Sequence, residues 1–267
     1  MPDNDFEPLA PGLATLDDLK MFEVSLPTKE QLRQTSLDWQ AVAGPTMLCQ
    51  WPADLMALSA PTTFVDLPRD NSALFEAHTF EAHAAPIAAE IDAILGFARR
   101  FFRLNSRSPK DAPWPFEIPV SCSGKEILSV IAASERCLTD LCLFQHADIT
   151  PKIALREFWP GINPRNEFRC FVRDGLILAV AEYANAATPE LWAPPTDDHG
   201  LRAAIGAYLI DTVMPRCHLS TVVIDIVAMH DGFRLLEINP YGRSDPVGAI
   251  SYERIEAGIA GIARLPR

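Results

Sequence analysis

The sequence predicts an α+β fold whose second half is built mainly from antiparallel strands. Three observations lead there. Helical and strand-like periodicities follow one another in mixed order, without the regular βαβ alternation of a parallel sheet. Strand-like runs near the C-terminus are joined directly by turn chemistry, Arg173-Asp174-Gly175 and His230-Asp231-Gly232, and so short a join suits antiparallel neighbours. The 267 residues are 48% hydrophobic and 22% charged, enough for a sizeable core in one domain or two intimate lobes.

Taken in order, residues 1–25 read as an extended arm. Thr28–Asp38 is a short polar helix ending near Trp39. Thr62–Leu67 (TTFVDL) is a short strand stopped by Pro68. Ile87, Ile91, Ile94, Leu95 and Ala98 recur at helical spacing, so an amphipathic helix is expected over Ile87–Arg100, with Pro86 at its start. Phe101–Leu104 follows as a buried strand. Asn105–Ser123 is polar and proline-rich and reads as a long loop, the kind often given to function. Lys125–Ala133 is a helix. Lys152–Trp159, Glu167–Val172 and Leu176–Tyr183 alternate as strands do. Leu201–Val213 is an apolar helix, Thr221–Ala228 and Phe233–Ile238 are strands, and Ser251–Leu265 is a closing helix. The 23 prolines against 13 glycines point to firm loops rather than flexible linkers.

Composition excludes several classes. A net charge of −12 repels phosphate backbones, so nucleic-acid binding is not expected. The acidic first segment is no signal peptide, and no apolar run approaches the ~20 residues that span a bilayer. Six cysteines form no CxxC pair and six histidines show no zinc spacing, which suits a reduced, cytoplasmic protein without a zinc site. The nucleophile elbow GxSxG and the phosphate loops GxxxxGK[ST] and GxGxxG are absent.

The segment richest in chemistry is Val222–Pro240, VVIDIVAMHDGFRLLEINP. Asp225 lies inside an apolar strand; Glu237 and Asn239 share a face at the end of the next. Register decides whether Asp225 joins them. A three-residue loop, His230–Gly232, with Gly232 at positive φ pairs Met229 with Phe233 and sets Asp225 opposite Glu237. A two-residue Asp231-Gly232 turn sends Asp225 to the other face. In the first register Ile224, Ile226, Leu236 and Ile238 form a core face. Two carboxylates side by side raise a pKa or need a cation between them, and oxygen ligands alone suit Mg²⁺ bridging to phosphates. The alternative is structural: Asp225 ends a strand and Glu237 pairs with Arg234 or Arg243. Each carboxylate is expected to tolerate its amide without loss of the fold.

Four cations complement this hairpin. Arg103, Arg156 and Arg169 sit within strand-like runs and Lys110 in the long loop. An Arg or a Lys there can hold phosphate; equally, each Arg can be neutralised by Glu157, Glu167 or Glu182.

Three stretches, LNSRSPKDA (Leu104–Ala112), LREFWPGINPRNEFRCFV (Leu155–Val172) and VIDIV…LLEINPYGRSD (Val223–Asp245), resemble, in order, the cell-division-cycle protein 123 family, with its patterns PKLNWSxPxDA, EFRCFV and DFNPxxxxxD. The resemblance runs from roughly Trp39 to Ile255. Arg103 replaces a family Lys, Ser106 a Trp and Glu237 an Asp. What it implies is an ATP-grasp fold, two α+β lobes with mostly antiparallel sheets clamping ATP and Mg²⁺. The lobes would span 39–150 and 151–267, after an N-terminal arm and helix, 1–38. By position, Arg103, Asn105, Lys110, Asp111, Arg156, Glu157, Phe158, Arg169 and Asn239 would hold the nucleotide, with Arg156, Glu157 and Phe158 at the adenine side. Asp225, Glu237 and Asn239 would hold the metal. The function implied is an ATP-dependent assembly or binding factor; eukaryotic members assemble translation initiation factor 2 by binding its gamma subunit. The alternative is an ATP-dependent carboxylate–amine ligase working through an acyl phosphate on a small carboxylate or amine.

Overall fold

The computed structural model describes residues 27–72, 80–113, 120–121, 123–160, 162, 166–183, 199–246 and 251–258. The expected arm lies outside them.

Two four-stranded antiparallel sheets organise the chain, and both have helices against them. The first sheet contains β1 (Thr62–Asp66), β2 (Arg100–Leu104), β3 (Val120–Ser121) and β4 (Lys152–Glu157), in the order β1-β4-β2-β3. The second contains β5 (Glu167–Arg173), β6 (Leu176–Glu182), β7 (Val222–Met229) and β8 (Gly232–Pro240), in the order β6-β5-β7-β8. The α+β class with antiparallel sheets expected from the sequence is therefore what the chain adopts. β4, which a division at residue 150 assigns to the second lobe, pairs inside the first sheet with β1 and β2. Only long-range pairing decides this.

The helices show why these sequences fold locally as they do. α1 (Lys29–Ala43) begins on a capping box between Thr28 and Gln31 and runs beyond the expected end at Asp38. After the short α2 (Ala53–Met56), α3 (Phe80–Leu95) begins well before Pro86, which lies within it, and ends where Gly96 takes φ +54°. The expected helix to Arg100 is thus shifted toward the N-terminus, because the glycine releases the chain into β2. α4 (Gly124–Ala132) crosses α3 so closely that a Cβ on Gly124 would sit 2.2 Å from the Ala88 carbonyl oxygen. α5 (Glu135–His146) has no counterpart in the sequence reading, although its signals are there. Ser134 caps it, and Cys137, Leu141 and Phe144 line its buried stripe.

One face of the first sheet, with Phe102, Leu104, Ile153 and Leu155, packs on α3, α4 and α5. One face of the second, with Cys170, Ile224, Ile226 and Ile238, packs on α6 (His199–Tyr208), the π-helical turn Leu209–Val213 and residues 48–55. A short α7 (Tyr252–Glu256) packs through Ile255 with Phe171, Ala179 and Val223 near the other face. Among the described residues no helix is long and apolar enough to cross a membrane, and the described cysteines are free thiols.

Candidate functional site

The site grows from the β7–β8 register. The turn holds two residues, His230 and Asp231, and Met229 pairs with Gly232, which has φ +132°. The expected three-residue turn is therefore not formed, though Gly232 does have positive φ. That register alone runs Ile226 opposite Leu235. A β-bulge between Asp225 and Ile226 then restores Asp225 opposite Glu237. The bulge also corrects the core face: Leu235 is fully buried with Ile224, Ile226 and Ile238, and Leu236, expected there, is half-buried. The register shift occurs beside a clamp on β8. Leu235 donates its N–H to the Leu58 carbonyl at 3.0 Å, and Ser59 Oγ donates to the Leu235 carbonyl at 2.6 Å.

Asp225 and Glu237 consequently share one sheet face, yet each already holds an arginine. Arg169 donates to Asp225 through Nε and Nη2, at 2.8 and 2.7 Å, and through Nη1 to the Asp245 carbonyl. Asn239 Nδ2 donates to Asp225 Oδ2 at 3.0 Å. Arg103 crosses from the first sheet to Glu237 Oε1 at 2.6 Å, joining the two sheets. Burial opposes the Glu237 charge, but the Arg103 guanidinium overrides it and holds the carboxyl down at about 2. No described residue donates to Glu237 Oε2. Among the described residues no group of three or more His, Cys, Asp or Glu is arranged to hold a metal. Two carboxylates and an amide still fit Mg²⁺, which commonly takes one or two carboxylates and fills its shell with phosphate and water.

A cleft of about 800 Å³ opens in front of Glu237, Asn239, Arg169 and Lys110. Asp225 and Arg103 stand one layer behind, each bonded to a lining residue. Lys110 Nζ donates to Tyr183 Oη at 2.8 Å, and Arg169 Cζ lies 4.9 Å from the Tyr183 ring centroid. Burial works against the Lys110 charge but is outweighed by Tyr183, Glu237 and Asp225, so its pKa is raised. Tyr183 is absent from the sequence-derived set. A β-bulge between Phe171 and Val172 sets Arg169 opposite Ala181, and alternation then puts Tyr183 on that face; a bulge-free hairpin reverses the parity, so the local pattern does not reveal it. Glu167, on the same face, is also new: burial, aided by Asp225 and Glu237, pushes its carboxyl up to about 7.

The other expected residues take supporting positions. Asn105 is buried and ties the loop to β4: its Oδ1 accepts from the Lys152 N–H, and its N–H reaches the Lys152 carbonyl. Asp111 accepts from Ser134 Oγ at 2.5 Å and from the Arg136 N–H at 3.0 Å, anchoring the start of α5. Arg156 is buried and donates through Nη2 to Ser59 Oγ, while its Nε has no partner among the described residues. Burial, reinforced by the neighbouring Arg103 charge and opposed by Glu237, lowers its pKa to about 10. Glu157 is exposed and Phe158 half-buried at the end of β4. None of these five lines the cleft described above.

With this geometry in hand, comparison with known proteins gives a consistent answer. The family model D123 matches residues 65–258. A translation initiation factor eIF2 assembly protein of Candida albicans is 25% identical over 157 residues, covering 54% of this chain and 45% of that protein. One from Vanderwaltozyma polyspora is 29% identical over 161 residues, covering 54% and 42%. The chain spans less than half the length of these two relatives. Among solved structures, Cdc123 from Schizosaccharomyces pombe superposes with a TM-score of 0.63 at 20% identity, covering 82% of this chain and 92% of that one. A C-terminally truncated form of the same protein gives 0.64 at 18%, covering 85% and 95%.

Proposed function

The chain belongs to the D123 family, and from that premise we propose that it binds ATP with Mg²⁺ in its cleft and acts as an ATP-dependent assembly factor. The observation that carries the reading is the pairing of Asp225 with Glu237 on one face beside Lys110 and Arg169. Opposed charges crowded at one wall suit a metal-bound polyphosphate, which needs cations for its oxygens and carboxylates for its metal. Two antiparallel sheets joined across Arg103–Glu237 are consistent with the ATP-grasp-like fold that the family resemblance implies.

Lys110 and Arg169 would meet the phosphates. Glu237 Oε2, Asn239 and Asp225 would meet the metal, with Arg103 keeping Glu237 ionised. Asn105 and Asp111 would set the loop that carries Lys110; Arg156, Glu157 and Phe158, which the resemblance puts on the adenine side, lie outside this cleft and carry no part of the reading. Bound Mg²⁺ would neutralise phosphate charge and orient the phosphoryl groups. The partner would be a protein, by likeness to the relatives named for eIF2 assembly; the gamma subunit of that factor is the candidate.

A second reading, an ATP-dependent carboxylate–amine ligase, is favoured by one feature. The wall of the cleft formed by α1 and α5 carries charged groups that the proposed nucleotide contacts do not use.

The test is a thermal shift with millimolar Mg²⁺–ATP, with and without chelator, followed by ADP release with and without candidate substrates. A ligand at 100 times its dissociation constant stabilises by about 2.7 kcal/mol. An unchanged melting temperature would refute nucleotide binding; ADP release driven by a carboxylate and an amine would favour the ligase.

A further inference from the structure

We propose that the wall of the cleft between α1 and α5 is a carboxylate-binding subsite, read by Arg107, positioned by the buried Asp140, and assisted by Arg136. Its starting point is an ion pair the proposed nucleotide site does not use. Asp140 has no exposed side-chain surface, and its Oδ2 accepts from Arg107 Nε at 2.7 Å. Burial pushes its carboxyl above the usual range, against the pull of Arg107. Sequestering a carboxylate from water is unfavourable, and here it holds one arginine in place.

The way Arg107 is held distinguishes it from the two arginines that pair with Asp225 and Glu237. Arg169 spends Nε, Nη1 and Nη2 on protein acceptors, and Arg103 spends Nε and Nη2. Arg107 spends Nε, and no described residue accepts from its two terminal nitrogens. Those are the paired donors that take a carboxylate in bidentate fashion. The residue is one-third exposed and lines the cleft.

The surroundings agree. Arg136 lies one helical turn before Asp140 on α5 and lines the same wall. Ser106 lines the same wall and lies against Asp140, which its hydroxyl helps to keep charged. Trp39 and Leu143 supply apolar surface. A polar fork within a partly apolar wall is what a small-molecule pocket provides. Charge favours a carboxylate over a phosphate. Asp140 already balances Arg107, and Asp38 on α1 faces the same cleft. At the fork the remaining charge suits a carboxylate group, which brings one negative charge to Arg107, better than a phosphate dianion, which concentrates two on one group. The subsite relies on the nucleotide reading only for the identity of its neighbour.

Succinate and inorganic phosphate are each titrated into the full chain by calorimetry, with and without Mg²⁺–ATP. Wild type is expected to bind succinate saturably in the millimolar range and in preference to phosphate. Arg107→Gln is expected to weaken succinate roughly tenfold, equivalent to about 1.4 kcal/mol, with the Mg²⁺–ATP shift retained. Arg107→Lys, which keeps the charge without the fork, should weaken it too, and Arg136→Gln by a smaller factor. If Arg107→Gln fails to fold, Arg107→Gln with Asp140→Asn removes both charges together and takes its place. Absence of saturable succinate binding, preference for phosphate, or Mg²⁺–ATP affinity falling in parallel with succinate in Arg107→Gln each overturns the proposal. Succinate binding that depends on Arg107 in a chain indifferent to Mg²⁺–ATP upholds the subsite and removes the nucleotide reading alone.

Discussion

Arg169 and Asp225 are register partners on adjacent strands, and guanidinium and carboxylate meet through two bonds at 2.8 and 2.7 Å in a nearly solvent-free setting. The sequence-based expectation that Asp225→Asn spares the fold is reversed by this contact. Removing one charge of a buried pair strands the other, at a cost of about 3–5 kcal/mol. Asp225→Asn should therefore lower the urea midpoint at constant m-value, and Asp225→Asn combined with Arg169→Met should recover part of the loss. A single variant within ~0.5 kcal/mol of wild type, the level of ordinary surface changes, would contradict the coupling.

The bulge makes a second claim measurable. Leu235 has no exposed surface and Leu236 is half-buried. Leu235→Ala should cost about 2–5 kcal/mol and Leu236→Ala distinctly less. The three-residue turn requires the opposite ranking, so denaturation of the two variants separates the registers directly.

Two carboxyls on this sheet face have their pKa values shifted in opposite senses. Glu237 has its pKa lowered from 4.5 to about 2. Its stabilisation is present above the unfolded value and is lost as pH falls from 4.5 toward 2. Glu167 has its pKa raised from 4.5 to about 7, by burial first. The folded state then holds the proton more tightly than the unfolded chain, so this group adds stability as pH falls from 7 to 4.5 and withdraws it as pH rises. Glu167→Gln should flatten the pH dependence of the melting temperature in that window. An identical slope in the variant would assign it to other groups.

Tyr183 touches both cations differently, through its hydroxyl to Lys110 and its ring to Arg169. Tyr183→Phe should weaken Mg²⁺–ATP binding by about 0.5–1.5 kcal/mol, the worth of one hydrogen bond. Tyr183→Ala should weaken it further by also removing the cation–π contact. Equal affinity in the phenylalanine variant and wild type would mean that the Lys110 contact does not prepare the site.

Local patterns determined much of this protein. The capping box at Thr28, the strands Thr62–Asp66 and Glu167–Arg173, and the sharing of one face by Glu237 and Asn239 follow from propensity and period, which act over a few residues. The Asp225–Glu237 pairing forms by a different route from the expected one: the sequence suggests an odd loop, and the chain uses an even loop plus a bulge. The bulge accompanies contacts between Leu235 and residues 58 and 59, far away in sequence. The same distance hid Ser59 behind Arg156, Tyr183 beside Lys110 and Asp140 behind Arg107. Residue type and spacing show which groups can carry charge. Which charges are paired, which are open and which face a shared cleft depends on long-range packing, because a buried ion is stabilised only by the neighbours that the folded chain brings to it.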